Sequence, residues 1–238
     1  MNTVRVVLTD IEGTTSAIAF VKETLFPFAE RALDGFLVAR AGDPEVRAIL
    51  DEVRALAPGQ DPAAALRGWM TRDEKVTPLK ALQGLIWRSG FESGEVVGHL
   101  WPDVAPCLLA WQAAGVRLAV FSSGSVPAQR LLFGHSVAGD LTPLFDGFFD
   151  TRTGAKREAA SYGAIAAALG VTAGDVLFLS DVVEELDAAR DAGMATCQLV
   201  RAADGTAASG RHPEATTFPE VAARFGLPMP DEPARDAA

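Results

Sequence analysis

Three apolar runs constrain the fold before any single residue does. Val4–Leu8, Arg117–Phe121 and Val176–Leu179 are nearly uninterrupted stretches of strand-forming residues. Such runs suit strands covered on both faces of a parallel sheet. Ala195–Val200 is a further strand candidate. The patterns between them are helical and stop at glycine. Val104, Leu108 and Trp111 step by four then three ahead of Gly115, Ala159–Leu169 ends at Gly170, and Glu184–Ala192 ends at Gly193. Glycine takes the left-handed turn that closes a helix at little steric cost. Helix, glycine, apolar strand, repeated, predicts an α/β fold with a doubly wound parallel sheet.

Residues 16–101 break this rhythm. Leu25, Phe28, Ala32 and Phe36 recur at helical spacing, as do Val46, Ile49, Leu50 and Val53, and then Leu79, Leu82, Leu85 and Ile86. No buried strand interrupts them, and Ala57–Pro62 reads as a loop between helices. The expectation is a core domain over 1–15 and 102–227, an inserted all-helical cap over 16–101, and a polar, Pro-rich, flexible tail over 228–238. Open α/β sheets bind ligands beyond the carboxyl ends of their strands. A cap emerging there would act as a lid.

At 238 residues with a formal charge of −10, the chain lacks the clustered cations of a nucleic-acid surface. An anionic substrate would need a local cation, which favours a bound metal. Cys107 and Cys197 stand far apart without a CxxC pair, so two reduced core thiols are expected and a zinc site is not. No leader pattern and no membrane-length apolar run is visible, so the expectation is a cytoplasmic monomer without nucleic-acid or membrane partners.

The first strand empties into Thr9-Asp10-Ile11-Glu12-Gly13-Thr14-Thr15. In extended backbone residues i and i+2 share a side, so Asp10 and Glu12 can address one reacting centre. A carboxylate nucleophile, a second carboxylate, a glycine turn and hydroxyls are the parts of metal-assisted phosphoryl transfer. The alternative is an Asp and a Thr capping the next helix.

Three further stretches carry the same ambiguity. Ser122 and Ser123, in Phe121-Ser122-Ser123-Gly124-Ser125, form an oxyanion cradle at a helix start, unless one Ser is only the N-cap. Lys156 follows the Gly154 turn, where it is either a phosphate-binding point charge or a solvated loop residue. Asp181 ends another strand, where it completes an oxygen-rich Mg²⁺ site with Asp10 or caps a helix with Glu184 in a capping box. Glu185 reads as surface or as a neighbour of the ligands. His99, His135 and His212 are too scattered for a histidine-based phosphatase.

The order of these signals is more specific than any one of them. Asp-x-Glu, Ser, Lys and Asp, each after a strand or loop, converge on one sheet edge. The arrangement resembles the haloacid dehalogenase-like superfamily over roughly residues 4–200. Within it the likeness is greatest to the bifunctional enolase-phosphatases of methionine salvage (acireductone synthases). It rests on Asp10–Thr15, Phe121–Val126, Leu131–Gly134, Gly139–Leu141, Gly154–Lys156, Ala160–Tyr162 and Ser180–Ala189. Glu12, where the superfamily usually has Asp, discriminates most.

The resemblance implies a Rossmann-like core and an Mg²⁺-dependent phosphoric monoester hydrolase. Its substrate would be 2,3-diketo-5-methylthiopentyl 1-phosphate, enolised and then dephosphorylated to the acireductone. Asp10 would be the nucleophile. Mg²⁺ would take Asp10, Asp181 and the Glu12 main-chain carbonyl. Ser122, Ser123 and Lys156 would hold the phosphoryl group, and the Glu12 side chain would serve as acid/base. Glu23 is a second candidate for the carbon proton. Phe20, Phe26, Trp87 and Trp101 would wall the methylthio tail, though each also suits core packing. A sugar-phosphate phosphatase, a phosphomutase and a non-catalytic phosphate-binding module are the competing readings.

Overall fold

A computed structural model describes residues 4–230. The expected tail lies outside the described residues from position 231 onward. The chain divides into two compact units, one up to Ile18 and from Gly98 onward, the other Ala19–Val97.

The first unit opens with β1 (Val6–Thr9), and from Ile18 the chain turns helical. α1 (Ile18–Phe20) runs through a π-helical segment, Val21–Leu25, into α2 (Phe26–Ala39). There follow α3 (Pro44–Leu56), α4 (Pro62–Thr71) and α5 (Thr77–Ser93). Asp43 and Asp61 cap α3 and α4, each followed by a proline in the first turn. α4 went unforeseen because Asp61-Pro62 reads as loop punctuation as readily as a helix start. The buried face of α2 is Phe28, Ala29 and Leu33, not Phe28, Ala32 and Phe36. The Phe26 N–H reaches back five residues to the Val21 carbonyl, and that wider turn shifts the register of the stripe.

The chain returns through α6 (Val104–Ala113), β2 (Arg117–Phe121), α7 (Val126–Gly134) and β3 (Phe145–Phe149). Then come α8 (Ala159–Ala168), β4 (Val176–Ser180), α9 (Val183–Asp191), β5 (Ala195–Leu199), β6 (Glu214–Ala215) and α10 (Phe218–Phe225). The six strands pair in parallel in the order β3-β2-β1-β4-β5-β6. The doubly wound α/β expectation holds. β3 escaped the sequence reading because it is an edge strand with Asp146 and Gly147 inside it, so it shows no apolar run.

Alternation within the strands builds the core. Val6, Leu8, Ala119, Phe121, Val176 and Phe178 pack on one face with Tyr162 and Ile165 of α8 and Leu186 and Ala189 of α9. Elsewhere in the unit the rings of Trp111 and Phe218 stack at 5.4 Å, joining α6 to α10. Cys107 and Cys197 are free and buried, as expected. Among the described residues no helix is long and apolar enough to cross a membrane.

What the topology does for function follows from β1 being flanked by β2 and β4. Thr9 lies in register with Val120 and with Leu179. The residues just past these strands are Asp10, Ser122 and Asp181. Their shared edge is the point where the strand order reverses, the usual ligand crevice of an open sheet.

Candidate active site

Asp10 is buried and fixed from several sides. Its N–H donates to the Leu179 carbonyl at 2.9 Å, and its Oδ1 accepts from the Ile11 N–H at 2.7 Å. The hydroxyls of Thr9 and Thr15 donate to its carbonyl at 2.9 and 3.2 Å. The N–H groups of Thr14, Thr15 and Ser16 all converge on the Ile11 carbonyl, so residues 10–16 form a turn rather than a helix start. The helix-cap alternative for Asp10 does not hold. Glu12, at the middle of this turn, is exposed.

Gly13 shows why the turn needs glycine. Its φ is +72°, and a Cβ there would collide with the carboxylate of Asp181. The close approach brings the β1 and β4 loops together.

Lys156 is buried, which excludes the solvated-loop alternative. Its Nζ lies 2.8 Å from Asp10 Oδ1 and 2.5 Å from Glu185 Oε2, and 5.9 Å above the Phe121 ring. Burial works against its charge, but the carboxylates of Asp10 and Glu185 overcome that and raise its pKa. The loop carrying it is moored to α8: Ser161 Oγ donates to the Ala155 carbonyl and the Tyr162 hydroxyl to the Lys156 carbonyl, each at 2.7 Å. Gly154 sits where any side chain would meet Ser161.

Asp181 is not the cap of α9. Val182 holds the N-cap position with no side-chain cap, and Ser180 Oγ accepts the Val182 N–H at 3.1 Å. Asp181 Oδ1 is instead buried without a hydrogen-bond partner. Burial first, and the charge of Asp10 second, push its pKa up to about 7. Glu185 is likewise pushed up to about 7 by burial and Asp10, although Lys156 and Ser180 pull against this. A buried carboxylate oxygen with no donor, beside two more carboxylates and one ammonium, is a strong demand for a further cation.

The β2 loop is built differently. Ser125 caps α7 through the Ala128 N–H, which frees the other serines from that task. Ser122 is buried and its Oγ accepts the Gly124 N–H at 3.2 Å, leaving its own hydrogen for a ligand. Ser123 is exposed.

One family model, haloacid dehalogenase-like hydrolase, matches residues 4–193. The chain belongs to the haloacid dehalogenase-like hydrolases. Enolase-phosphatase E1 of Gluconacetobacter diazotrophicus is 57% identical to this hydrolase over 94% of the chain and 95% of the relative. Enolase-phosphatase E1 of Granulibacter bethesdensis is 56% identical over 97% and 100%. Among solved structures, the UTR4 protein of Saccharomyces cerevisiae superposes with a TM-score of 0.78 at 34% identity, covering 91% of this chain and 99% of that one.

In this hydrolase Asp10, Lys156 and Ser122 stand buried at the sheet edge, with Asp181 partly buried beside Gly13. Among the described residues no three His, Cys, Asp or Glu side chains group as a metal-ligand set. Phe20, Glu23, Phe26 and Trp87 belong to the helical unit, where the Phe26 and Trp87 rings lie 6.0 Å apart and Trp87 Nε1 donates to the Leu25 carbonyl. Trp101 belongs to the core unit and packs edge-on to His99 at 5.2 Å. His212 is buried between Thr196 and Asp187 and His99 accepts the Ala17 N–H, as structural groups do.

Sequence reading undervalued Glu185, Gln129 and Asp150. Gln129 Nε2 donates to the carbonyls of Gly124 and Phe149, both at 2.8 Å, and Asp150 accepts the Val126 N–H at 3.0 Å. Together they hold the serine loop. A usable signal existed: Glu185 precedes Ala188 and Ala189, and Gln129 precedes Leu132 and Phe133, by three and four residues. Each is a polar residue on the buried stripe of its helix.

Proposed function

We propose that this hydrolase is the enolase-phosphatase of methionine salvage. It would convert 2,3-diketo-5-methylthiopentyl 1-phosphate through its enol to the acireductone and phosphate. The observation that carries this reading is end-to-end likeness to enolase-phosphatase E1 relatives at more than half identity. The geometry supports each chemical role in turn.

Asp10 is the nucleophile. Oδ1 is held by the Ile11 N–H and the Lys156 ammonium, so Oδ2 attacks phosphorus. The P–O ester bond breaks, the leaving oxygen takes a proton from Glu12, and the phosphoryl group rests on Asp10 as an acyl phosphate. Water, deprotonated by Glu12, then cleaves that anhydride and regenerates the carboxylate. Lys156, Ser122 and Ser123 hold the phosphoryl oxygens. Enolisation precedes this: the exposed Glu12 carboxylate, one methylene longer than Asp, is the base we assign to take the proton from the carbon beside the carbonyl. The enolate oxygen takes a proton from water to give the enol, and Glu12 is left protonated for the leaving oxygen.

Mg²⁺ fits the residues present. The orphaned, buried Asp181 Oδ1 and the uncompensated carboxylates argue for a hard divalent cation, held by Asp10, Asp181 and the Glu12 main-chain carbonyl. When bound it supplies Lewis-acid stabilisation of developing negative charge on phosphoryl and enolate oxygens.

The test is to follow enol absorbance and phosphate release together on the diketo phosphate, with Mg²⁺ and with EDTA. An enol transient preceding phosphate is expected with Mg²⁺, and neither signal with EDTA. Phosphate release without enol at every Mg²⁺ level would reduce the protein to a plain phosphatase.

A further inference from the structure

The reaction proposed above makes no use of Arg201, yet it is the most completely bonded cation in the core unit. It follows β5 and is 6% exposed. Every N–H of its guanidinium has a partner. Nε and Nη2 donate to the Thr14 carbonyl at 3.2 and 3.0 Å. Nη1 and Nη2 grip the two Asp103 oxygens, each at 3.0 Å, and Nη1 also reaches the Thr216 carbonyl at 3.0 Å. The plane lies near the rings of Trp101 and Phe218, at 5.4 and 5.7 Å. Asp103 in turn accepts the Phe218 N–H at 2.8 Å. Burying such a group is costly unless every donor is matched, and here all are.

The contact of interest is Thr14. Of the neighbouring carbonyls in the acidic turn, Asp10 takes two threonine hydroxyls, Ile11 three N–H groups and Ser16 the Gly13 N–H, all from within the turn, while Thr15 takes the Trp101 N–H. The Thr14 carbonyl is held by Arg201, from 187 residues away. Asp10 is thus pinned by Lys156 at one end of the turn and Thr14 by Arg201 at the other. Glu12 and Gly13 lie between the two anchors.

We propose that Arg201 is a positioning residue for the acidic turn, acting through the Thr14 carbonyl to fix Glu12 relative to Asp10. This rests on the roles given above to Asp10 and Glu12. A residue that merely stabilises the fold would lose activity only as the fold is lost. A residue that positions the turn loses turnover while the protein stays folded, because small misplacements at a reacting centre cost rate rather than binding.

Arg201→Lys keeps the charge but cannot form the fork. Arg201→Met with Asp103→Asn removes the pair together, so no buried charge is left unmatched, and keeps an acceptor for Phe218. Both are assayed on the diketo phosphate well below their melting temperatures, and amide exchange is measured on the ligand-free chain. We expect kcat to fall by about tenfold to a hundredfold in each, with KM within about threefold. Exchange of the Thr14–Ser16 amides should rise at least about tenfold while the β1 amides keep their protection. Recovery of wild-type kcat in the double variant would overturn the proposal, as would unchanged kcat or unchanged turn exchange in a folded Arg201→Lys. Should the wild-type chain itself fail on the diketo phosphate, the functional reading falls, and the exchange of the turn still decides whether Arg201 holds it.

Discussion

Two buried cations organise the core unit, and their surroundings are opposites. Arg201 faces one carboxylate and two backbone carbonyls, with all its donors matched. Lys156 faces Asp10 and Glu185, with Asp181 close by on the neighbouring strand end, so three carboxylates share one ammonium. The first environment is closed and needs nothing more. The second is left with surplus negative charge and an orphaned oxygen, and burial first and the charge of Asp10 second raise two carboxyl pKa values there to about 7. A structural ion pair is compensated within the chain, whereas a catalytic one is completed by what binds. The surplus at Lys156 is thus the physical feature that supports the active site we propose there.

The comparison breaks most sharply at Asp10. Asp10→Asn should lower phosphate release by about a thousandfold or more, because the amide oxygen is a poor nucleophile. Phosphate release near wild type from a folded Asp10→Asn chain would remove the nucleophile assignment. Lys156→Ala should cost about a hundredfold in kcat/KM, shared between a higher KM and a lower kcat, since it removes the charge to which we assign phosphate binding. Unchanged kinetics there would make Lys156 a cation serving the fold alone.

Surplus charge also has a pH signature. Asp181 and Glu185 carry folded pKa values of about 7, above their ordinary 3.8 and 4.5. Between about pH 4 and 7 the folded chain therefore holds protons that the unfolded chain has released, and stability falls as pH rises through that window. Lys156, with its raised pKa, contributes stability that is lost only at far higher pH. His99, lowered by burial despite the pull of Asp204, acts in the opposite sense below about 6.5. The informative quantity is thus the melting temperature of wild type minus that of Asp181→Asn, in EDTA, which should decline from pH 5 to pH 8. Mg²⁺ should restore more of it at pH 8 than at pH 5. A difference that is flat or rises with pH would show that the site carries no surplus charge.

The legible parts of this molecule were those written in local pattern. Apolar runs gave four strands, and glycine-terminated patterns gave α6, α8 and α9 between them. Chain order gave Asp10, Ser122, Lys156 and Asp181 as residues for one edge. What stayed hidden depends on partners far away in the chain. Glu185 looks like one acid among Glu184 and Asp187 until α9 is rotated onto β4 and Lys156. Arg201 looks like a loop cation until Asp103 and Thr14 arrive beside it. β3 is hidden for a different reason: at the edge of the sheet it needs only one strand neighbour, so its residues need not all be apolar.

The finest test of the comparison lies in the mooring of Lys156. The Tyr162 hydroxyl donates to the Lys156 carbonyl, while its ring packs edge-on against Phe121 at 5.5 Å and near Phe178 at 5.0 Å. Tyr162→Phe keeps the ring and removes one neutral hydrogen bond, worth about 1–2 kcal/mol when a buried acceptor is left bare. That corresponds to a melting temperature lower by roughly 2–8 °C for a chain of this size. Because the ammonium keeps both carboxylates, kcat should fall less than tenfold, far short of Lys156→Ala. A loss as deep as that of Lys156→Ala would mean that the position of the ammonium, and not the charge it brings, governs turnover. Lys156 would then join Arg201 as a problem of placement, and the contrast between the two cations would narrow to the number of carboxylates around each.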